Sequence, residues 1–396
     1  MTALHDPGFE VVLAPGRDRS VRRRHPWLLA SAVDRVADDV PAGALVRVVS
    51  SEGEVLGFGH YAPGSKLRVR LLRFGKDEPA ADLVAQRIAT AVAHRSADPA
   101  LAGTDAVRLV NAEGDGLPGL VADRYGDVVC VRLTGTGMIA RREEIAGALR
   151  EATGATSGFE RADPVAARRE GFEAQTGPLW GPEPAERVWI REGERRYAVD
   201  VRGGQKTGFY LDQRDARDWV QRLASGRRVL DLFAYTGGFA VAAACGGAEQ
   251  LTLVESSERA LALAGENLAA NGRSEGCDLQ RANAFQFLRG ADRDYDLIVI
   301  DPPPLARTRR DVDRASRAYK DLLMFGLRCA APGGYVLAFA CSHHVGPSLF
   351  RKIAFGASLD ANRTAQVLAV LGAPVDHPAS IDHLEGSYLT GLLLRA

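Results

Sequence analysis

Polar and apolar positions alternate with a clear rhythm in the C-terminal half of the chain. The runs 228–232, 250–255, 278–281, 296–300, 335–340, 365–371 and 388–394 have the length and bounding residues of strands. Between them, 238–245, 258–271, 284–289, 314–329 and 348–360 have helical length and spacing. This alternation predicts an α/β domain, a seven-stranded and mostly parallel sheet with helices on both faces.

The N-terminal half has a different pattern. Ala44–Val49, Val55–Tyr61 and Leu67–Leu71 read as strands, the last alternating apolar residues with Arg68 and Arg70. From residue 76 the pattern is that of a small α+β unit. Asp82 is placed to cap a helix with Val84, Ile88, Ala91 and Val92 on one face. A strand at 107–110, a hairpin of 120–123 with 128–133, and a helix over 139–152 follow. Pro and Gly between 177 and 184 mark a linker. The expected organisation is a β-rich domain over 1–75, a central α+β domain over 76–188 and the α/β domain over 189–396.

The chemistry concentrates at the ends of the predicted parallel strands. Asp231 closes the first, Glu255 the second, Asp301 the fourth and Cys341 the fifth, the ends at which open α/β sheets bind ligands. After Asp231 comes Leu232-Phe233-Ala234-Tyr235-Thr236-Gly237-Gly238, a glycine turn into a helix. Neither G-x-G-x-x-G nor the P-loop pattern occurs, so a nucleoside ligand without a pyrophosphate fits better than a dinucleotide. Glu255 suits a ribose diol, since a carboxylate accepts from both hydroxyls.

Composition narrows the class. The 396 residues carry no formal net charge, 46% hydrophobic and 25% charged residues, an ordinary globular balance. No apolar run approaches the roughly 18 residues of a membrane span, and no apolar signal core opens the chain, so a cytoplasmic protein with no membrane partner is expected. Five scattered cysteines without C-x-x-C predict neither a disulfide framework nor a zinc site. Any nucleic-acid surface must be local. One candidate is Arg17 to Arg24 with Arg68 and Arg70, placed to grip phosphates or simply to solvate a sheet edge.

Several of these stretches together resemble a known family. They are Gln205-Lys206-Thr207-Gly208-Phe209-Tyr210-Leu211-Asp212-Gln213-Arg214, the Asp231 to Phe239 segment, Asp301-Pro302-Pro303 and Cys341-Ser342. His25-Pro26-Trp27, Glu113 to Leu120 and Asp376-His377-Pro378 extend the likeness over nearly the whole chain. The pattern is similar to that of the ribosomal RNA cytosine-5 methyltransferases with an N-terminal PUA domain, of the bacterial 23S large-subunit methyltransferase I type.

The resemblance implies a PUA domain, a central domain and a class I methyltransferase domain using S-adenosylmethionine on ribosomal RNA. It places Lys206, Gln213 and Arg214 over the methionine end of the cofactor. Asp231, Ala234, Tyr235, Thr236 and Gly237 line the methionine and sulfonium region. Glu255 holds the ribose, Ser256 lies beside the adenine, and Asn283 and Ala284 contact the adenine edge. Cys341 is the nucleophile toward carbon 6 of cytosine; Asp301 serves N3 of the base and also borders the cofactor. The chemistry requires both, because carbon 5 becomes nucleophilic once a thiolate adds at carbon 6 and a carboxyl group serves N3.

Two alternatives stand beside this reading. An exocyclic-amine methyltransferase shares Asp301-Pro302-Pro303 but usually follows it with an aromatic residue; here Pro304 follows. A non-catalytic RNA-binding assembly factor leaves Cys341 unexplained. Which nucleotide is modified, whether the substrate is naked RNA or a particle, and whether the protein is a monomer or a homodimer are open at this stage. So is the base for the carbon 5 proton, with His343 and His344 nearby in sequence.

Overall fold

The computed structural model describes residues 8–396 apart from 274, 292 and 293. The chain packs as two compact units, each with its own sheets and core. The first runs to Val188 and includes Val199–Phe209 and Val375–Gly386; the second comprises Trp189–Ala198, Tyr210–Pro374 and Ser387–Ala396.

The first unit contains a six-stranded and a five-stranded sheet. In sheet order the six strands are Trp27–Leu29, Leu67–Phe74, Val55–Tyr61, Leu45–Val49, Glu10–Leu13 and Val33–Val36. The first, fifth and sixth of these are absent from the sequence expectation, since each has only three or four residues. Val11, Leu13, Leu28, Val46, Val48, Val69 and Leu71 form the core of this sheet. The five-stranded sheet is Gly177–Trp180, Ser157–Glu160, Val128–Leu133, Leu120–Tyr125 and Ala106–Asn111, packed on the helix Leu83–Ala97.

Three local expectations are corrected in this unit. Asp82 stands at the N-cap of its helix but makes no backbone cap bond; its carboxylate accepts from the Gln86 side chain instead. The helix expected over 139–152 is broken into Thr136–Ile139 and Arg142–Thr153. Buried Arg141 sits at the break and donates to the carbonyls of Gly43 and Gly137. Arg70 does not line a phosphate-gripping face. Its guanidinium donates to both oxygens of buried Glu170, at 2.8 and 2.7 Å, while Arg68 donates to the Pro63 carbonyl. A buried carboxylate demands a cation, and Arg70 supplies it. In the Arg cluster, Arg22 is likewise held by Asp18 and Glu54, whereas Arg19, Arg23 and Arg24 are exposed.

The second unit is built on one seven-stranded sheet: β1 Arg228–Leu232, β2 Gln250–Glu255, β3 Cys277–Arg281, β4 Tyr295–Ile300, β5 Ala330–Cys341, β6 Gln366–Leu371 and β7 Leu389–Arg395. Their order is β3-β2-β1-β4-β5-β7-β6, with β7 antiparallel to both neighbours and the rest parallel. Central strands read as continuous apolar runs because both faces are covered. Leu230, Leu232, Ile298 and Ile300 are at most 1% exposed, under a layer made by Tyr319, Leu322, Leu323, Leu327 and Phe350. The strand order reverses between β1 and β4, which opens a crevice at their carboxyl ends. The register sets Asp231 level with Leu253 of β2 and Val299 of β4, so the polar ends fan out along one edge.

Candidate active site

β1 delivers Asp231 into a fully buried position, where one carboxylate oxygen accepts from the Ala240 amide at 3.1 Å. The other, Oδ1, is buried without a partner among the described residues. Burial pushes this carboxyl up to about 8, and the negative neighbours Asp301 and Glu255 add to it against the Ala240 amide. The chain then turns sharply. Phe233 and Tyr235 hold left-handed φ values of 62° and 49°, strain that side chains other than glycine adopt only when the surroundings impose it. Gly237, at φ 77°, ends the turn and opens the helix Gly238–Cys245.

This strained loop is tied to β2. The Ala234 amide donates to the Val254 carbonyl at 3.1 Å, and the Tyr235 amide donates to Glu255 Oε2 at 3.0 Å. Glu255 Oε1 accepts from the Ser257 amide and the Ser256 hydroxyl. Three of roughly four acceptor positions on the carboxylate are thus used internally. One remains for a ribose hydroxyl, where the sequence suggests two. Thr236 is buried with its hydroxyl oxygen unpartnered among the described residues.

Asn283 caps the helix Ala284–Gly290, its side-chain oxygen accepting from the amides of Phe285 and Gln286. That occupies the acceptor and leaves the amide N–H groups. An adenine partner would therefore have to be a ring nitrogen rather than the exocyclic amine. Ala284 is buried behind it and Ser256 is exposed.

β4 and β5 bring Asp301 and Cys341 together. The thiol of Cys341 donates to Asp301 Oδ1 at 3.5 Å. Gln213 Nε2 donates to Asp301 Oδ2 at 2.9 Å, so both carboxylate oxygens are held. Gln213 Oε1 is buried and unpartnered among the described residues. The Tyr210 and Tyr235 rings meet edge to face at 5.3 Å, and burial pushes the Tyr210 phenol well up, with Asp301 adding to the effect. Asp212, in the turn between Tyr210 and Gln213, accepts from the Tyr388 hydroxyl at 2.7 Å. These aromatic and amide supports lie in a stretch whose sequence looks like a binding loop, yet nothing in it names Asp301 as the partner of Gln213.

The other cysteines sit in different surroundings. Cys130 is buried in the first unit, where burial pushes its thiol up. Cys329 donates to the carbonyls of Leu288 and Ala291, Cys277 to that of Glu275, and Cys245 to the Asn271 side chain. The His343 and His344 rings lie with their centroids 3.8 Å apart, tilted by 44°.

Arg214 and Lys206 belong to the same expected cofactor set. Arg214 is buried with Nε 3.5 Å from Glu192, a carboxylate also paired with Arg217 at 2.5 Å and Arg195 at 3.1 Å. This buried cluster gives Arg214 a structural partner. Lys206, at φ 53°, belongs to the Val199–Phe209 segment of the first unit.

The site fits a cationic nucleoside. Asp231 Oδ1, Thr236 Oγ1 and Gln213 Oε1 are buried acceptors that a ligand with ammonium and sulfonium charge would satisfy, and Glu255 and Asn283 stand where a ribose and a base would follow.

Known proteins resemble this chain over most of its length. Residues 166–370 match the S-adenosylmethionine-dependent methyltransferase family, and residues 11–74 match the PUA-like domain. The ribosomal RNA large subunit methyltransferase I of Aeromonas salmonicida is 38% identical over 393 residues, 98% of this chain and 99% of that one. The enzyme of the same name from Shewanella amazonensis is 39% identical over 392 residues, with the same coverage. A crystal structure of a methyltransferase candidate complexed with SAH superposes at a TM-score of 0.84, with 24% identity over 98% of this chain and all of that one. A second such candidate, from Streptococcus mutans, gives 0.82 at 24% identity and the same coverage. Those two structures bear on the fold.

Proposed function

The chain belongs to the ribosomal RNA large subunit methyltransferase I family, and we propose that it forms 5-methylcytosine in 23S ribosomal RNA through a covalent adduct on Cys341. It is an S-adenosylmethionine-dependent methyltransferase of ribosomal RNA. The contact of the Cys341 thiol with Asp301 supports the cytosine-5 chemistry most directly.

Two negative charges at 3.5 Å would repel by about 5 kcal/mol at an effective dielectric of about 20. The pair therefore holds a proton between sulfur and carboxylate. As sulfur bonds to carbon 6 of the base, that proton passes to Asp301. The carboxyl group then gives it to N3, where addition builds negative charge. Carbon 5 becomes enamine-like and nucleophilic. S-adenosylmethionine, held by Asp231, the Ala234 to Gly237 loop, Glu255 and Asn283, supplies an electrophilic methyl group. A base takes the carbon 5 proton, the electron pair of that bond expels sulfur from carbon 6, and the N3 proton returns through Asp301 to sulfur, so that the thiol is restored. Gln213 keeps the Asp301 carboxylate turned toward sulfur throughout. The target base has to be unstacked to reach both groups.

In this reading residues 1–75 hold RNA, with Arg19, Arg23 and Arg24 as phosphate contacts, residues 76–188 are scaffold, and residues 189–396 carry the transfer. A 23S ribosomal RNA substrate implies work in the cytoplasm. Among the described residues no helix is long and apolar enough to cross a membrane.

The experiment is a mechanism-based trap. RNA carrying 5-fluorocytosine at the target should be methylated and then remain bound through denaturing electrophoresis, because fluorine does not leave as a proton does. The adduct should require S-adenosylmethionine and Cys341. Methylation of an exocyclic amine by a Cys341→Ala variant would replace this mechanism with the amine-directed one.

A further inference from the structure

On the connection that follows Asp301 lies a groove of about 380 Å³, lined by Pro304, Leu305, Arg307, Asp311, Arg314, Ala315 and Ala318. Its lining joins the apolar Pro304, Leu305, Ala315 and Ala318 to the cationic Arg307 and Arg314. Arg309, Arg310 and Arg317, in the same stretch, are exposed. The 305–320 stretch holds five Arg and one Lys against two Asp, in a chain with no formal net charge.

Many arginines of the protein are held by carboxylates. Arg95, Arg108, Arg142 and Arg217 each close on a carboxylate. Among the described residues, Arg307, Arg309, Arg310 and Arg317 make no ion pair. Asp311 does little to neutralise them. One of its oxygens accepts from the Thr308 amide and hydroxyl, closing a capping box, and the other steadies Arg314 at 2.9 Å. Lys320 is taken by Asp360 at 2.7 Å. Four unpaired cations within eleven residues repel one another, and a polyanion relieves that repulsion.

The groove is fixed to the reacting groups. Ser342, next to Cys341, donates its hydroxyl to the Ala306 carbonyl at 2.6 Å, and Arg307 follows Ala306. Arg307 is six residues from Asp301 on the same connection out of β4. A nucleotide at Asp301 and Cys341 carries its neighbours' phosphates with it, and this groove is where the chain offers positive charge to receive one.

Resting on the proposed function, we infer that the 305–317 groove is the RNA track beside the target base, with Arg307 and Arg314 on a flanking phosphate and Arg309, Arg310 and Arg317 on the strand beyond. The apolar lining suits the sugar between phosphates. Contacts of this kind position the strand and carry no sequence information.

The test uses the full-length protein, an in vitro transcript of bacterial 23S ribosomal RNA, and the triple variant Arg307→Gln, Arg310→Gln, Arg317→Gln. The variant should bind S-adenosylmethionine and melt as the wild type does, since all three side chains are exposed. Its KM for the transcript should rise about ten- to a hundred-fold, with a smaller change in kcat, and the slope of log affinity against log salt should flatten by about 2. An unchanged KM and salt slope, with the wild type methylating the transcript, overturns the track and leaves the proposed function standing. A wild type that transfers no methyl group to this transcript overturns the proposed function and the track with it.

Discussion

Cys341 and Asp301 stand on neighbouring parallel strands with the thiol 3.5 Å from the carboxylate, and Gln213 holds the far oxygen of the same carboxylate at 2.9 Å. Sulfur, a proton carrier and a fixed orientation are thus joined in one chain of contacts. Cys341→Ala should abolish methyl transfer while keeping S-adenosylmethionine affinity within about two-fold, because no cofactor contact is removed. Asp301→Asn should also be inactive and give little trapped adduct, since the amide cannot take the thiol proton. Trapping experiments on the two variants separate these roles, and normal transfer by Cys341→Ala would end the covalent mechanism.

In the proposed mechanism Gln213 acts through Asp301, to which it donates at 2.9 Å. Gln213→Ala should lower kcat by about 10- to 100-fold, the range expected when a proton-transfer group loses its alignment. Gln213→Glu should do worse at neutral pH than at low pH, because a second carboxylate repels the first once ionised. Identical pH profiles for the two variants would leave Gln213 with a packing role only.

Asp231 should make cofactor affinity depend on pH. Its carboxyl is pushed up to about 8, so the ligand-free protein holds a proton there at neutral pH. A cationic ligand prefers the ionised form, so binding releases that proton. Affinity should rise about ten-fold per pH unit below 8 and level off above it. Calorimetry in buffers of different ionisation enthalpy reads the proton directly. Asp231→Asn should bind weakly and lose the dependence. With the folded value raised above the ordinary one, ionisation costs stability as pH climbs from about 4 to 8. The Asn variant should therefore gain most in melting temperature at the alkaline end.

Glu192 should matter to stability. Burial alone would push its carboxyl up, but Arg217, Arg195 and Arg214 outweigh burial and hold it below its usual range. A depressed value contributes stability above the unfolded carboxylate range that is lost as pH falls through the folded value. Glu192→Gln removes the charge that buried Arg217 and Arg214 face, while Arg195 keeps Asp218 at 2.5 Å, and should cost about 3–5 kcal/mol in denaturant unfolding. A loss below about 1 kcal/mol would mean that the cluster rearranges freely.

Much of the C-terminal unit was legible along the chain because its signals are local. Strand length, helix spacing and a polar residue closing each central strand are properties of consecutive positions, and parallel strands share one ligand-facing end. Asp231, Glu255, Asp301 and Cys341 stand out on that basis alone. The short strands Glu10–Leu13, Trp27–Leu29 and Val33–Val36 carry too few residues for a period and take their form from sheet neighbours.

What each polar side chain meets was decided by the tertiary structure. Arg70 reads as a free cation on an alternating strand, yet Glu170, a hundred residues on, claims it because a buried carboxylate needs a counter-charge. Asn283 reads as a base-contacting amide, yet the amides opening its own helix take its oxygen. Gln213 and Asp301 become partners because the chain returns to the same strand edge. A side chain's hydrogen bonds depend on which distant groups arrive beside it stripped of water, and nothing in the spacing of neighbours along the chain records that.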